Sequence, residues 1–332
     1  MTPRIIISLL LALAALAPAT LGAQTDAQLS QYYEVPSFYN PAAVGRTDFI
    51  RIRGGARLQW MGIERAPKTF VAVADMPMKL FGKRIGLGVA IDQETAGLYS
   101  TLNASAQLAY KINKLGGTWT AGVQIGLLDQ GFKGSKVDMP DDDDYHESND
   151  DALPRTDVHG STVDFSAGIW YDHRLFYAGI SCSHLSAPTV KLKADSDNGS
   201  DATTGTEQYF EFGSKRTLYF IAGGNIQLKN TLFDILPSVL VKSDFAFTTA
   251  EINARVRYNK FLTFGVGYRW NDAVIATIAA EYKNFFIGYS YDYATTAIAK
   301  ASSGSHEVFA GYSLKLNLGD KNRNKHKSIR YM

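Results

Sequence analysis

From about Asp48 to Leu316 the chain alternates apolar and polar residues with a period of two. Ile50, Ile52, Ala56, Leu58 and Trp60 interleave with Arg51, Arg53, Arg57 and Gln59. Far downstream, Ile252, Ala254, Val256 and Tyr258 interleave with Glu251, Asn253, Arg255 and Arg257. In a strand, period two puts the two sets on opposite faces of the sheet. One face is apolar and the other carries charge. A soluble sheet can use that pattern, and so can a membrane barrel with lipid outside and a polar lumen.

Alternation and turn residues predict fourteen strands: 48–62, 67–78, 83–95, 98–112, 117–132, 160–172, 175–186, 214–228, 231–243, 248–259, 261–271, 273–283, 285–294 and 305–316. Most exceed the ~9–11 residues that a tilted strand needs to cross a bilayer. The connections decide between the two sheets. With a periplasmic N-terminus, even-numbered connections of an outer-membrane barrel are short periplasmic turns and odd-numbered ones are external loops. The even connections here are Lys79–Gly82, Asn113–Gly116, His173-Arg174, Lys229-Asn230, Asn259-Lys260 and Lys283-Asn284, all short. The long ones, 133–159, 187–213, 244–247 and 295–304, are all odd. A soluble sandwich has no reason to sort loops by parity. The fold class is therefore all-β, a transmembrane antiparallel β-barrel of the bacterial outer membrane, with about 14 strands (12–16).

Composition agrees. The chain has 18 Phe, 18 Tyr and 4 Trp, and many of them (Trp60, Tyr110, Trp119, Trp170, Tyr258, Trp270) fall near strand ends, where membrane barrels carry aromatic girdles. Glycines within strands suit bends and close packing in a curved wall. The last strand, Gly311-Tyr312-Ser313-Leu314-Lys315-Leu316, resembles the assembly signal of outer-membrane barrels, although sixteen residues follow it. Arg4, the apolar run Ile5–Ala17 and the exit Leu21-Gly22-Ala23 read as a secretory signal peptide, 1–23. No cysteine at that cleavage site argues against a lipid anchor there. Cys182, the single cysteine, cannot form an intrachain disulfide and reads as a small hydrophobe of a strand. A net charge of +2 gives no strong global field, so nucleic acid is not a suggested partner.

Residues 24–47 precede the first strand. The segment is aromatic, carries prolines and has no clean period, so it packs at the periplasmic mouth or folds into the lumen. It also reads as a docking strip for a periplasmic partner. The stretch from Gln28-Leu29-Ser30-Gln31-Tyr32 through Asn40-Pro41-Ala42-Ala43-Val44-Gly45 resembles the opening of the PorP/SprF family, whose members start the mature chain with Q-x-S-Q-Y, then N-P-A and a glycine. Arg57-Leu58-Gln59-Trp60 and Pro67-Lys68-Thr69 also look like that family. The resemblance covers essentially the whole mature chain in length and strand pattern. It implies an outer-membrane component of the type IX secretion and gliding machinery of Bacteroidetes, which connects with periplasmic components or holds secreted substrates at the surface.

The loop 133–159 holds an acidic run that includes Asp141, Asp142, Asp143 and Asp144. Calcium takes oxygen ligands, but the spaced pattern of a calcium loop is missing, so the run reads as a solvated external loop. Loop 187–213 reads the same way. The basic tail, 317–332, carries Lys321, Arg323, Lys325, Lys327 and Arg330. It reads as a solvated tail or as a contact for anionic headgroups or an acidic partner. The partner-binding candidates are Gln31, Tyr32, Tyr33, Asn40, Pro41, Lys321, Arg323 and Lys325, facing outer-membrane lipid, other secretion components or a secreted substrate domain.

Six scattered histidines and no G-x-S-x-G or phosphate-cradling loop leave no catalytic constellation to defend. The expectation is a protein that is no enzyme and has no cofactor and no metal. Two functions remain open: a structural or docking barrel of secretion, with the barrel spanning 48–316, or an outer-membrane channel or transporter for small or hydrophobic solutes.

Overall fold

The computed structural model describes residues 26–137, 156–194 and 210–316. The signal segment, Asp141–Asp144 and the tail residues Lys321, Arg323 and Lys325 lie outside the described residues.

Among the described residues, seventeen strands follow in chain order. They are β1 (Phe49–Leu58), β2 (Lys68–Leu80), β3 (Lys83–Ala96), β4 (Tyr99–Lys114), β5 (Gly117–Lys133), β6 (Asp157–Asp172), β7 (Phe176–Ser183), β8 (Thr189–Ala194), β9 (Phe210–Gly213), β10 (Thr217–Gly224), β11 (Ile226–Gln227), β12 (Phe233–Ser243), β13 (Thr248–Tyr258), β14 (Leu262–Arg269), β15 (Ala273–Tyr282), β16 (Phe285–Ala294) and β17 (Ser305–Lys315). β11 continues β10, and β8 and β9 stand outside the wall, which leaves a closed antiparallel barrel of fourteen wall strands. Closure comes from β1, which pairs with β2 on one side and with β17 on the other. In lipid every backbone N–H and C=O must find its partner within the protein, and a closed barrel meets that demand. No helix among the described residues is long and apolar enough to cross a membrane, which says nothing of strands.

The two faces sort as the alternation predicts. Ile52, Phe70, Val123, Ile125, Ile252 and Ile287 are exposed on the outside of the wall. Arg53, Arg57, Asp75, Gln130, Glu251, Asn253 and Asp292, from the same strands, are buried inside. Cys182 is half-buried on β7.

The tight turns gather at one mouth. Leu80 pairs with Lys83 across Phe81-Gly82, and Lys114 with Gly117 across Leu115-Gly116. Both residues of each loop have positive φ, as a type I′ hairpin requires, and its twist matches that of the flanking strands. The same mouth carries Asn259-Lys260 and Lys283-Asn284, again at positive φ. The other mouth carries the longer connections, together with the two-residue turn Gly97-Leu98 and the short turn between Arg269 and Ala273.

The structure corrects the reading of 187–213 as a solvated loop in its described parts, 187–194 and 210–213. β8 and β9 form a hairpin, and the end of β8 pairs with the start of β6. Val190 and Leu192 of β8 pack with Leu128, Phe132 and Val158, against Phe212. Thr189-Val190-Lys191-Leu192-Lys193 is itself a period-two run, masked in composition by the Asp, Ser and Gly around it. It also explains why β6 begins at Asp157, three residues earlier than predicted: both its neighbours extend that far.

Val266, 66% exposed on β14, tests the assignment of the outer face. A lysine facing lipid near the midplane costs ~2–4 kcal/mol. Val266→Lys is expected to lower folding stability in lipid vesicles by about that amount, measured by urea titration, whereas a soluble sheet would tolerate it on its wet face.

Candidate functional site

Residues 26–47 run inside the barrel. Asp26 lies among residues near the long-loop mouth, and Arg46 ion-pairs with Asp172 at the end of β6 near the turn mouth, Nη2–Oδ1 2.5 Å. Between them the segment makes one turn of 3-10 helix (Tyr32–Glu34), a short α-helical turn (Pro36–Tyr39) and a second 3-10 turn (Pro41–Ala43). Two prolines open the last two turns, where a missing N–H costs nothing. Asn40 joins them. Its side-chain oxygen accepts from the Ala42 N–H at 2.9 Å, while its amide donates to the carbonyls of Ile169 and Ile180 at 3.1 and 3.2 Å. The Asn-Pro-Ala motif therefore caps a turn and ties it to β6 and β7. At Gly122 the wall runs so close to the backbone of Ala42 that any side chain there would collide with it.

The centre of the segment hangs on Glu307 of β17. The backbone N–H groups of Ser30 and Gln31 donate to its two carboxylate oxygens, each at 2.8 Å. The Ser30 hydroxyl donates to Asp292 at 2.7 Å and accepts from Arg57 and Arg269, both at 2.8 Å. Around it, Arg57 pairs with Asp292 at 2.8 Å and Glu307 at 3.3 Å, and Arg269 pairs with Glu251 at 2.8 Å and Asp292 at 3.1 Å. All these groups are buried. Buried charges lose their hydration, and their mutual ion pairs and hydrogen bonds repay much of that loss, with Arg57 Nε left without a partner among the described residues. Tyr32, fully buried, donates to Ser238 at 3.0 Å.

A second anchor holds the outer end. His184, just beyond β7, lies between Asp26 (Nε2–Oδ1 3.0 Å) and Asp164 (Nδ1–Oδ2 2.9 Å). Tyr219 and Lys242 also hold Asp26, through its side chain and its carbonyl. Burial works against both charges. The opposed charges outweigh it, holding Asp26 below the usual carboxylate range and pushing His184 up to about 10.

The segment divides the lumen. On the long-loop side lies a cavity of about 1050 Å³ with Trp60, Tyr99, Asp92, Glu94, Gln130 and Trp270 among its walls. On the turn side is a smaller pocket of about 90 Å³, lined by Tyr33, Glu34 and several arginines. Of the five partner-binding candidates among the described residues, Tyr33 alone lines a cavity; Gln31, Tyr32, Asn40 and Pro41 are enclosed in the lumen. Arg269, Glu307 and the Asp26–His184 pair escaped the sequence reading, and Ser30 entered it only as part of a motif. Their signal is register: Arg57 stands opposite Glu307 across β1 and β17, and Glu251 opposite Arg269 across β13 and β14. Among the described residues no group of three or more His, Cys, Asp and Glu is placed to hold a metal ion.

This is a membrane β-barrel whose own N-terminal segment fills its lumen. The model of the family described as type IX secretion system membrane protein PorP/SprF matches residues 21–312, and the chain belongs to that family. No curated protein matches it. Among solved structures the chain is similar to the toluene transporter TbuX of Ralstonia pickettii, at 10% identity and TM-score 0.50, over 86% of this chain and 94% of that one. It is also similar to a FadL homologue of Pseudomonas aeruginosa, at 10% identity and TM-score 0.48, over 85% and 94%. At such identity the first likeness shows the fold alone. Family and barrel fold together point to the outer membrane.

Two outcomes follow from the anchors. Removing one partner of a buried charge cluster costs ~3–5 kcal/mol, so Glu307→Gln is expected to release the segment, read as trypsin cleavage after Arg46 in a barrel that is otherwise intact. His184 has a folded pKa raised above its ordinary 6.5. Its stabilisation is therefore complete below about pH 6.5 and lost as pH rises through about 10. NMR titration of its imidazole is expected to show a protonated ring throughout the neutral range.

Proposed function

We propose that this protein is a plugged, non-conducting barrel that serves type IX secretion as a docking component. It is exported by the Sec route and carries no catalytic activity. Its partners are other secretion components in the periplasm or outer membrane, and a secreted substrate domain at the surface. The observation that carries this reading is the luminal segment: its backbone is fixed by Glu307 and by Asn40's bonds to the wall, and it separates the two cavities. A conduit for solutes needs a path that opens, and here a path would require breaking a buried charge cluster. The segment reaches the turn mouth through Glu34 and Arg46, where a periplasmic partner meets the barrel. The roomy outer cavity favours the surface as a second place of engagement.

The channel reading rests on that same cavity, and conductance separates the two. Purified protein in planar bilayers is expected to show no steady conductance, and protein taken from native outer membranes is expected to carry secretion components with it. A steady open pore with no co-purifying secretion component would replace this reading with that of a channel.

A further inference from the structure

Five arginines line the pocket at the turn mouth, and three of them pair with carboxylates outside it. Arg46 pairs with Asp172, Arg51 with Asp75 at 3.2 Å, and Arg257 with Asp234 at 2.7 Å. Arg53 and Arg255 differ: they share one carboxylate, Glu34. The distances are 3.9 Å from Arg53 Nε and 3.8 Å from Arg255 Nη1, both too long for a hydrogen bond. Arg53 donates to the Ile52 carbonyl and to Ser313. Arg255 is only 8% exposed, and its buried Nε has no hydrogen-bond partner among the described residues. Its guanidinium lies 3.3 Å from the centre of the Tyr33 ring, and that of Arg53 lies 5.0 Å from the centre of Phe286.

Two guanidinium groups are thus held over aromatic rings, with one carboxylate between them that hydrogen-bonds to neither. A buried guanidinium N–H without an acceptor among the described residues, as at Nε of both Arg53 and Arg255, is costly. Apart from the three paired arginines, the lining carries three cations, Arg53, Arg255 and Lys260, against two carboxylates, Glu34 and Glu281. A further carboxylate entering the pocket would restore neutrality and supply the missing acceptors in the planar, two-pronged geometry that arginine favours.

We propose that this pocket receives a carboxylate side chain or C-terminal carboxylate of a peptide segment entering from the turn mouth, with Arg255 and Arg53 as its ligands. The inference rests on the docking reading above and gives that partner its chemistry: an acidic segment with an apolar residue beside the acid. Tyr33, Phe261 and Phe286 supply the apolar wall. A lipid headgroup is a poor occupant, because the pocket lies inside the barrel and its strands stand between it and the bilayer. The free volume of about 90 Å³ suits one small group rather than a headgroup with its chains.

The test uses the full-length protein in detergent micelles and two fluorescent peptides, one of alternating glutamate and phenylalanine and the other with glutamine for glutamate. Anisotropy titration is expected to show the glutamate peptide binding about tenfold or more tighter, a preference that salt weakens. Arg255→Gln is expected to abolish the preference and Arg255→Lys to restore part of it, with both variants keeping the heat-dependent gel mobility of a folded barrel. Equal binding of the two peptides, or an undiminished preference in Arg255→Gln, overturns the proposal. So does inorganic phosphate binding where neither peptide does, which would make the pocket a site for free anions. Co-purification from native membranes is read separately. Partners captured by a protein with no peptide preference would fault this site alone, whereas a clear preference with no captured partner would fault the docking reading.

Discussion

The interior of this barrel depends on one contact: two consecutive backbone N–H groups, of Ser30 and Gln31, held by the carboxylate of Glu307. A carboxylate buried in a protein needs both charge and hydrogen bonds to stay ionised. Arg57 supplies charge and the N-terminal segment supplies donors. The dependence runs both ways. Without the segment, Glu307, Asp292, Arg57 and Arg269 would face a wide lumen across Ser30's place. Without those four, the two N–H groups would be buried and unpaired, at a cost of ~1–3 kcal/mol each. Wall and plug are thus parts of one polar network, and the segment is a structural member of the barrel.

That network explains how the wall can be so regular. Lipid demands only an apolar outer face and closed backbone pairing. The strands meet both with plain alternation and type I′ turns. The specific features are confined to the inner face. There, cross-strand pairs such as Arg57 with Glu307 and Glu251 with Arg269 fix charge in register. Asn40 borrows two wall carbonyls, at Ile169 and Ile180, and so couples the helical turns of the plug to the sheet.

Much of the wall was legible in the sequence, because period two is a local signal and each turn announces itself with Gly, Asn or Lys. All fourteen wall strands lie where the alternation of residues places them, with shifts of a few residues at their ends. The hairpin of β8 and β9 was hidden, since its Val190 and Leu192 sit in a stretch whose composition speaks of a loop. The site was legible only in part. Arg57 and Glu251 announced a polar inner face, but that Arg57 meets Asp292 and Glu307 depends on barrel closure across 235 and 250 residues of sequence, and no local pattern carries that. Ser30 and Gln31 stood out only as a motif. Their role needs the backbone: the motif's own N–H groups, more than its side chains, bind Glu307.

A docking function and a filled lumen belong together in this account. The plug closes the path through the wall and leaves each mouth with its own surface: acidic and aromatic side chains around the outer cavity, arginine and tyrosine at the inner one. Its seating is the claim on which the rest stands. The most direct measurement is amide hydrogen exchange of residues 26–45 in the intact protein in lipid. The account predicts that the Ser30 and Gln31 amides are protected as strongly as those of the wall strands. Exchange of these amides within seconds, beside slow exchange in the wall, would contradict it.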